Sequence, residues 1–228
     1  MLVNVYIGDL EILFKDSAKY EEYLSELSEE RKKKTLKIKS YEGRCRSIGA
    51  GVLLDEALKQ YSLREKDMTY GYGEVGKPYL KEAPELCFNL SHSRSKAMCV
   101  IGDIPVGCDI EFIKKANDGI AKRFFSAKDN ELLKSAKRLG EPEYRKRFYT
   151  LWTLKESYIK CTGLGLKCPM DSFSFIYDGE KYHIDGNADY SFLSDIERSN
   201  SDIKDGYAYS VCVNNNELPE LKIRNIVL

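Results

Sequence analysis

The sequence predicts an α+β protein, because segments with the two-residue period of a strand and segments with the period of a helix both recur along it. Residues 3–8, 86–90 and 97–101 are strand candidates, and residues 48–63 have the apolar spacing of a helix. Residues 97–101 are echoed by residues 208–213, at a comparable place in the second half of the chain. This echo by itself is a weak indication of an internal repeat.

Length and composition are those of an ordinary folded protein. The 228 residues can bury one large core or two half-size ones, and 43% of them are hydrophobic and 32% charged. Lysine plus arginine equals aspartate plus glutamate, at 36 each. The bulk charge therefore argues against a nucleic-acid or membrane partner.

The cysteines and the N-terminus favour a cytoplasmic location. The seven cysteines are odd in number and include no C-x-x-C pair, so neither a disulfide framework nor a zinc site is expected. The N-terminus has no basic segment ahead of an apolar one, and no apolar run approaches the length of a membrane span.

In the first half, the predicted helices flank a basic segment. Residues 17–29 predict a helix in which a few leucines stand among acidic residues, and residues 48–63 predict a more apolar one. Between them, residues 31–46 hold eight basic side chains and one acidic one. Such a run is usually a solvated helix face, although in a neutral chain it also suits a small polyanionic ligand. The glycines of residues 71–78 predict a turn-rich loop.

The second half is predicted to begin with a strand and to continue mainly as helix. Residues 104–111 are the strand candidate, and residues 112–150 are mostly helical, with a break at 141–142. A further helix is indicated by an apolar face made of Leu151, Leu154, Tyr158 and Ile159. Gly163 is expected to end this helix, and residues 171–213 are predicted to be strands and turns.

Two carboxylates of the strand at residues 104–111 could hold a metal ion. Asp109 and Glu111 are two residues apart, so in a strand they project from the same face. A bound cation would relieve their mutual repulsion, and oxygen ligands suit Mg²⁺, with Mn²⁺ as a second choice. The alternative is an edge strand with a solvated acidic face, which is the commoner outcome for D-x-E alone.

A third carboxylate, Glu156, lies one turn before Lys160 on the predicted helix. For an arbitrary pair of this kind, a surface ion pair is the commoner outcome. The alternative is a metal carboxylate beside a cation that contacts a phosphate.

Together, these two segments resemble the 4′-phosphopantetheinyl transferases. The family pattern is (V/I)G-x-D-x-E, followed by W-x-x-K-E-(A/S)-x-x-K-x-x-G-x-G, and every fixed position is filled. The matching residues are Val106, Gly107, Asp109, Glu111, Trp152, Lys155, Glu156, Ser157, Lys160, Gly163 and Gly165. Residues 76–78 and 88–93 also resemble the longer, Sfp-type members, which are pseudo-dimers in one chain.

The resemblance implies a fold and a reaction. The chain would be a monomer of two similar α+β halves, residues 1–103 and 104–228, related by a pseudo-two-fold axis with the active site in the cleft between them. A serine hydroxyl of an apo acyl, peptidyl or aryl carrier protein would attack the β-phosphorus of coenzyme A. The products would be the holo-carrier and adenosine 3′,5′-bisphosphate.

The resemblance also implies the roles of individual residues. Asp109, Glu111 and Glu156 would hold Mg²⁺, and Asp109, Glu156 and Lys160 would carry the catalysis. The serine proton would pass either to Glu156 or to a water on the metal. The implied contacts to coenzyme A are Arg31, Lys34, Arg46, Lys77, Ser91, His92, Lys155 and Lys160.

For two of these contacts to coenzyme A, a second basic residue is an alternative. Arg44 is a rival to Arg46, which is placed by an ungapped alignment. Lys155 ranks below Lys160, because on a helix it points about 100° away from its neighbour Glu156.

Residues 166–170 lie near the carrier protein in this family. They combine apolar side chains with one lysine and one proline, which suits a docking surface, and the alternative is that Leu166 and Met170 are core residues.

Two other functions are kept open: another Mg²⁺-dependent enzyme acting on a nucleotide diphosphate, and a non-catalytic carrier-binding homologue. The second is disfavoured because no metal carboxylate has been lost. The carrier could serve fatty-acid, polyketide or nonribosomal-peptide synthesis.

Overall fold

The chain folds into two units, each with one long helix packed on a β-sheet, in a computed structural model that describes residues 1–199 and 202–228. Unit 1 comprises Met1–Pro105 and Pro219–Leu228, and unit 2 comprises Val106–Leu218. The helices are α1 (Glu11–Lys15), α2 (Ser17–Ser25), α3 (Glu29–Leu36), α4 (Tyr41–Lys59), α5 (Asp118–Phe124), α6 (Ala127–Arg138) and α7 (Glu141–Thr162). The strands are β1 (Val3–Asp9), β2 (Tyr70–Tyr72), β3 (Pro78–Leu80), β4 (Cys87–Ser93), β5 (Lys96–Gly102), β6 (Val106–Phe112), β7 (Phe175–Tyr177), β8 (Tyr182–Ile184), β9 (Ser191–Ser199), β10 (Asp202–Val213) and β11 (Leu221–Val227). The expected α+β class is confirmed.

Unit 1 is a four-stranded sheet covered by α4. The strand order is β11-β1-β5-β4, and a separate hairpin is formed by β2 and β3. Ser40 caps α4 by accepting a hydrogen bond from the Gly43 amide, and Ile48, Leu53 and Leu58 of this helix are fully buried. Burial of this apolar face stabilises the unit more than the local helix preference does.

Unit 2 is a three-stranded sheet, in the order β6-β10-β9, on which α7 packs. A second hairpin is formed by β7 and β8. Helix α7 has a proline in its first turn and ends at Gly163, whose φ of 68° is the left-handed conformation that glycine adopts at little cost. In the described ranges, no helix is both long enough and apolar enough to span a lipid bilayer.

The two units repeat one order of elements. Each begins with a strand (β1 or β6), continues with helices that end in the long one (α4 or α7), and then adds a short hairpin and two further strands. The registers agree as well: Tyr6 of β1 pairs with Cys99, and Asp109 of β6 pairs with Ser210. Because Cys99 and Ser210 occupy the same place in the two echoed segments, the echo reflects a repeat of topology.

The first predicted helix is divided in the structure. The segment predicted as one helix over residues 17–29 contains α2, which ends at Ser25, and the first residue of α3. Ser28 separates them, because its side chain caps α3 and its amide donates to the buried carboxylate of Glu65. The basic segment therefore lies on α3 and on the first turns of α4, which begins at Tyr41 instead of at residue 48.

Three further assignments are corrected by strand pairing. The predicted loop at residues 71–78 includes the paired strands β2 and β3, and Ser91 and His92 lie inside β4 instead of after it. The tail also belongs to the other half: β11 pairs in parallel with β1, so residues 219–228 are part of unit 1. Within the segment predicted to be strands and turns at 171–213, residues 200 and 201 lie outside the described part.

Gly107 allows α7 to lie directly against β6. A Cβ atom at this position would be 2.0 Å from the carbonyl oxygen of Ser157 and 2.4 Å from the amide nitrogen of Cys161. Both are backbone atoms of the helix, which cannot move aside as a flexible side chain can. The glycine therefore sets the separation between the strand that carries Asp109 and the helix that carries Lys160.

We expect Gly107→Ala to lower the free energy of unfolding by about 1–3 kcal/mol or more, because the added methyl group forces α7 away from β6. Urea denaturation of the purified protein measures this change. The matched control is Gly73→Ala, whose added Cβ would have Lys77 O as its nearest neighbour at 3.7 Å, an ordinary contact. Equal stabilities of the two variants would contradict the packing argument.

Candidate active site

Asp109 and Lys160 form an ion pair between β6 and α7 in unit 2. Strand β6 carries the carboxylate and α7 carries the ammonium, with Lys160 Nζ 2.6 Å from Asp109 Oδ1. The Asp109 side chain is 5% exposed and that of Lys160 is 28% exposed. Charges buried to this extent need a close partner to offset their lost hydration. The structure thus joins two residues that the sequence motif separates.

Glu156 lies within electrostatic reach of this pair. Burial raises the pKa of Glu156, the charge of Asp109 raises it further, and Lys160 lowers it. Burial lowers the pKa of Lys160, but the surrounding negative groups, led by Asp109, outweigh burial and raise it. Lys160 therefore stays protonated at neutral pH, and the neighbouring Glu156 has a pKa above the usual value of a glutamate.

Glu111 projects from the same face of β6 as Asp109, because the two residues are two positions apart in the strand. It is half-buried and pairs with Ala208 of β10. Over residues 1–199 and 202–228, no three histidine, cysteine or acidic side chains are grouped closely enough to hold a metal ion.

The donor set nevertheless fits a hard cation in part. Asp109 and Glu156 are both carboxylates, and the charge of Asp109 disfavours that of Glu156, an effect that a bound cation would relieve. Lys160 supplies positive charge to the pair in this structure. Two of the three predicted carboxylates are thus brought together, and the third is on the same strand face.

Lys155 is not part of this group. Its side chain is fully buried, and Nζ lies 2.7 Å from Asp129 Oδ2. The same ammonium donates to the carbonyl oxygens of Met170 (2.7 Å) and Phe173 (2.6 Å). Three protons and three acceptors complete its hydrogen bonding. The expected contact of Lys155 with coenzyme A is therefore not supported, because the helix turns this side chain into the core.

A layer of hydroxyl groups, which the sequence did not reveal, fastens α7 to the sheet beside Asp109. Thr153 Oγ1 lies 2.8 Å from Ser210 Oγ, and Ser210 Oγ donates to Ser194 Oγ at 3.1 Å. Ser210 is also the strand partner of Asp109. In the sequence, the sign of this layer is the presence of small polar residues within the otherwise apolar helix and strand segments.

In unit 1, Arg31 is held by a buried carboxylate. Its Nε lies 2.8 Å from Glu65 Oε1, and its Nη2 donates to the Tyr70 hydroxyl at 2.9 Å. Glu65 is fully buried, and the Arg31 side chain is 11% exposed. Gly51 of α4 makes room for this arginine, since a Cβ there would be 2.5 Å from Arg31 Cδ. Arg31 is therefore a largely structural cation, whereas Lys34 on the same helix is exposed.

Arg46 and Arg44 reach different parts of unit 1. Arg46 Nη1 lies 3.5 Å from the carbonyl oxygen of Arg94, in the turn that follows β4. Arg44 lies near Tyr20 of α2, whose pKa its charge lowers against the larger effect of burial. The structure thus brings Arg46, and not Arg44, towards the end of β4 where His92 is located.

The hairpin that carries Lys77 is tied to α3. Glu30 accepts hydrogen bonds from the Tyr70 amide (3.3 Å) and the Tyr72 hydroxyl (2.8 Å). At the hairpin turn, the Gly73 amide donates to Lys77 O at 2.9 Å, and Gly76 has a φ of 87°.

The two predicted binding residues of β4 differ in exposure. Ser91 is buried and His92 is exposed. Unit 1 thus carries basic residues on α3, on α4 and in the hairpin, and His92 near the end of β4.

Comparison with known proteins identifies related sequences over most of the chain. Residues 105–212 match the 4′-phosphopantetheinyl transferase superfamily. The chain is 32% identical to "4′-phosphopantetheinyl transferase Sfp" of Bacillus subtilis (strain 168) over 204 residues, which is 88% of each protein. It is 40% identical to another "4′-phosphopantetheinyl transferase" of Bacillus subtilis over 56% of this chain and 55% of that protein. A solved holo-(acyl-carrier-protein) synthase from Bacillus anthracis, in complex with CoA (3′,5′-ADP), is 19% identical over 49% of this chain and 96% of its own, with a TM-score of 0.39.

The electrostatic arrangement in unit 2 predicts how Glu156 titrates. In the metal-free protein, its pKa should lie above the ordinary value of a glutamate, and Lys160→Met should raise it further because the nearby positive charge is lost. Carbon-13 NMR of labelled glutamate side chains measures both values. A lower pKa in the Lys160→Met variant than in the wild type would contradict the proximity of these two groups.

Proposed function

The chain belongs to the 4′-phosphopantetheinyl transferase superfamily and is a transferase, and we propose that it transfers the 4′-phosphopantetheine group of coenzyme A to a serine of an apo carrier protein. The products would be the holo-carrier and adenosine 3′,5′-bisphosphate. The observation that carries this proposal is the grouping of Asp109, Glu156 and Lys160 on β6 and α7. Phosphoryl transfer depends mainly on charge neutralisation and alignment, which two carboxylates and a fixed cation can supply.

Asp109 and Glu156, with Glu111 from the same strand face, are proposed to hold Mg²⁺ or Mn²⁺. When bound, the ion would neutralise and orient the pyrophosphate. Lys160 stays protonated because its pKa is raised, so it would donate a hydrogen bond to a phosphate oxygen. The serine proton would pass either to Glu156 or to a water on the ion.

The phosphates of coenzyme A are proposed to be bound by basic residues of unit 1. Lys34 is exposed on α3, and Lys77 lies in a glycine-containing turn that keeps the backbone accessible to a flat ring. Arg46 and His92 are brought towards the same end of β4. Ser91, although buried, and the largely structural Arg31 would support this face of the unit.

The carrier protein is proposed to contact the segment that follows α7. Leu166 is fully exposed, and Leu164 is 44% exposed beside it. Full exposure removes the alternative that Leu166 is a core residue. An apolar patch with a neighbouring lysine suits the acidic helix of an acyl, peptidyl or aryl carrier, because apolar anchors give affinity and rim charges speed encounter.

The direct test is incubation of the protein with labelled coenzyme A, Mg²⁺ and several purified apo-carriers, followed by intact mass spectrometry. Addition of phosphopantetheine to the carrier serine supports the proposal. Carrier binding without a mass gain would indicate a non-catalytic module, and cleavage of coenzyme A without transfer would indicate another nucleotide-diphosphate enzyme. Comparison among the carriers identifies the preferred class.

Removal of a metal carboxylate should abolish transfer without unfolding the protein. Glu156→Ala removes one of two neighbouring carboxylates, so we expect a folded variant with no measurable turnover. Asp109→Ala also removes the ion-pair partner of Lys160, so we expect the same loss of turnover together with a lower melting temperature. Circular dichroism checks the fold, and the mass assay checks the activity. Near-normal turnover by folded Asp109→Ala would refute the assignment of this carboxylate.

Lys34→Ala and Arg46→Ala should weaken coenzyme A more than dephospho-coenzyme A, because the 3′-phosphate is the additional anion. Each lost charge-assisted contact is worth roughly 1.5–3 kcal/mol. Arg44→Ala is the matched control, since Arg44 lies near Tyr20 and is expected to leave the preference between the two substrates unchanged. KM values for both substrates measure the effect, and an equal loss for both would exclude contact with the 3′-phosphate.

Leu166→Ser should raise the KM for the carrier several-fold, leave the KM for coenzyme A unchanged and barely alter the melting temperature. The reason is that this side chain is exposed and contributes little to the folded core. Leu139→Ser, at an exposed position 78% accessible after α6, is the matched control and should change neither KM. A carrier KM equal to that of the wild type would remove this segment from the docking surface.

A further inference from the structure

A second buried ion pair lies in unit 2 outside the candidate active site. Lys155 of α7 and Asp129 of α6 are both fully inaccessible, with Nζ 2.7 Å from Oδ2. Lys155 Nζ also lies 4.2 Å from the centroid of the Phe173 ring. The pair joins two helices and the chain segment that follows α7.

Asp129 is as fully bonded as its partner. Its Oδ2 accepts hydrogen bonds from the amide (3.1 Å) and the hydroxyl (2.6 Å) of Ser126, which caps α6. Its Oδ1 accepts from the amide of Phe175 at 3.0 Å, and Ser174 Oγ donates to Ser126 Oγ at 2.8 Å. A buried polar network that is satisfied in this way is rigid, because every displacement leaves a donor or acceptor without a partner.

The segment between α7 and β7 is consequently fixed at both ends. At its start, the Gly163 amide donates to Ile159 O in the left-handed turn that ends α7. At its other end, Lys155 binds the carbonyl oxygens of Met170 and Phe173. The exposed Leu166 lies between these two anchors.

Stability alone does not require charges at these positions. Apolar side chains of similar size can often replace a buried ion pair without loss of stability. The hydrogen bonds from Lys155 to the carbonyl oxygens of Met170 and Phe173, however, impose one geometry on the segment. We infer that Lys155 and Asp129 are a positioning pair, which holds the segment from Gly163 to Phe173 in place for the carrier protein and does not contact coenzyme A. This inference rests on the proposed function, of which it specifies the carrier side.

A labelling experiment on the wild-type protein tests the burial of Lys155 without any substitution. The protein is treated with N-hydroxysuccinimidyl acetate, with and without coenzyme A, and each lysine is followed by mass spectrometry of peptides. We expect Lys155 to remain unmodified in both samples, while the exposed Lys34 is modified and is protected by coenzyme A. Modification of Lys155 that coenzyme A prevents would overturn the inference.

Kinetic constants separate positioning from substrate contact. Lys155→Met keeps the length of the side chain and removes the three donated hydrogen bonds, and we expect the carrier KM to rise about fivefold or more, as a displaced binding segment would cause. The KM for coenzyme A, and its ratio to that for dephospho-coenzyme A, should stay within about twofold of wild type, which corresponds to about 0.4 kcal/mol. Lys146→Met, the same change at a half-buried position of α7, is the control and should alter none of these values.

Hydrogen exchange supplies the structural measurement. Amides of residues 165–173 should exchange faster in Lys155→Met than in wild type, whereas the exchange rates of the β6 amides should not change.

If Lys155→Met does not fold, Asp129→Asn is used, and its carrier KM should rise in the same way with faster exchange in the same segment. A rise in the KM for coenzyme A of the same size as that for the carrier, or a folded variant with both KM values and exchange unchanged, would overturn the inference. Absence of transfer by the wild-type protein would refute the proposed function, and the labelling and exchange results would then still decide the positioning of the segment.

Discussion

The contact between β6 and α7 is the constraint on which the rest of unit 2 depends. A strand and a helix can approach this closely only where no Cβ intervenes, and Gly107 provides that position against the backbone of Ser157 and Cys161. The approach places Lys160 against Asp109, so each buried charge gains the partner that its lost hydration demands. The glycine of the motif therefore sets the separation on which this ion pair depends.

Two lysines five positions apart on α7 have different roles because the helix directs them into different surroundings. Lys160 meets a carboxylate of the sheet at a partly exposed position, and Lys155 enters the core and meets Asp129 of α6. Unit 1 uses the same device, since the buried Glu65 holds Arg31 against Tyr70. In both units, a buried carboxylate thus fixes a cation that a motif alone would assign to substrate binding.

The two units share the order and pairing of their strands and helices, but they do not share the charged side chains of the candidate site. In the shared register, the position of Asp109 on β6 corresponds to Tyr6 on β1, and that of Glu111 corresponds to Gly8. Unit 1 therefore has no carboxylates at the two positions from which unit 2 offers them. The repeated sheet and helix provide a common scaffold, and the differing side chains confine the proposed metal site to unit 2.

The sequence by itself determined the α+β class and the family, and it predicted the reactive side chains, because periodicity and motif spacing are local properties of the chain. It could also pair Asp109 with Glu111, since neighbours two apart in a strand share a face. Only the tertiary structure decided that β11 joins unit 1, that Arg46 and Arg44 face different elements, and that Leu166 is exposed. It also decided that Lys155 is buried, because its surroundings come from α6 and from the segment beyond α7. Burial, parallel pairing of the chain ends and the partner of a charge all depend on residues distant in sequence, which no local pattern records.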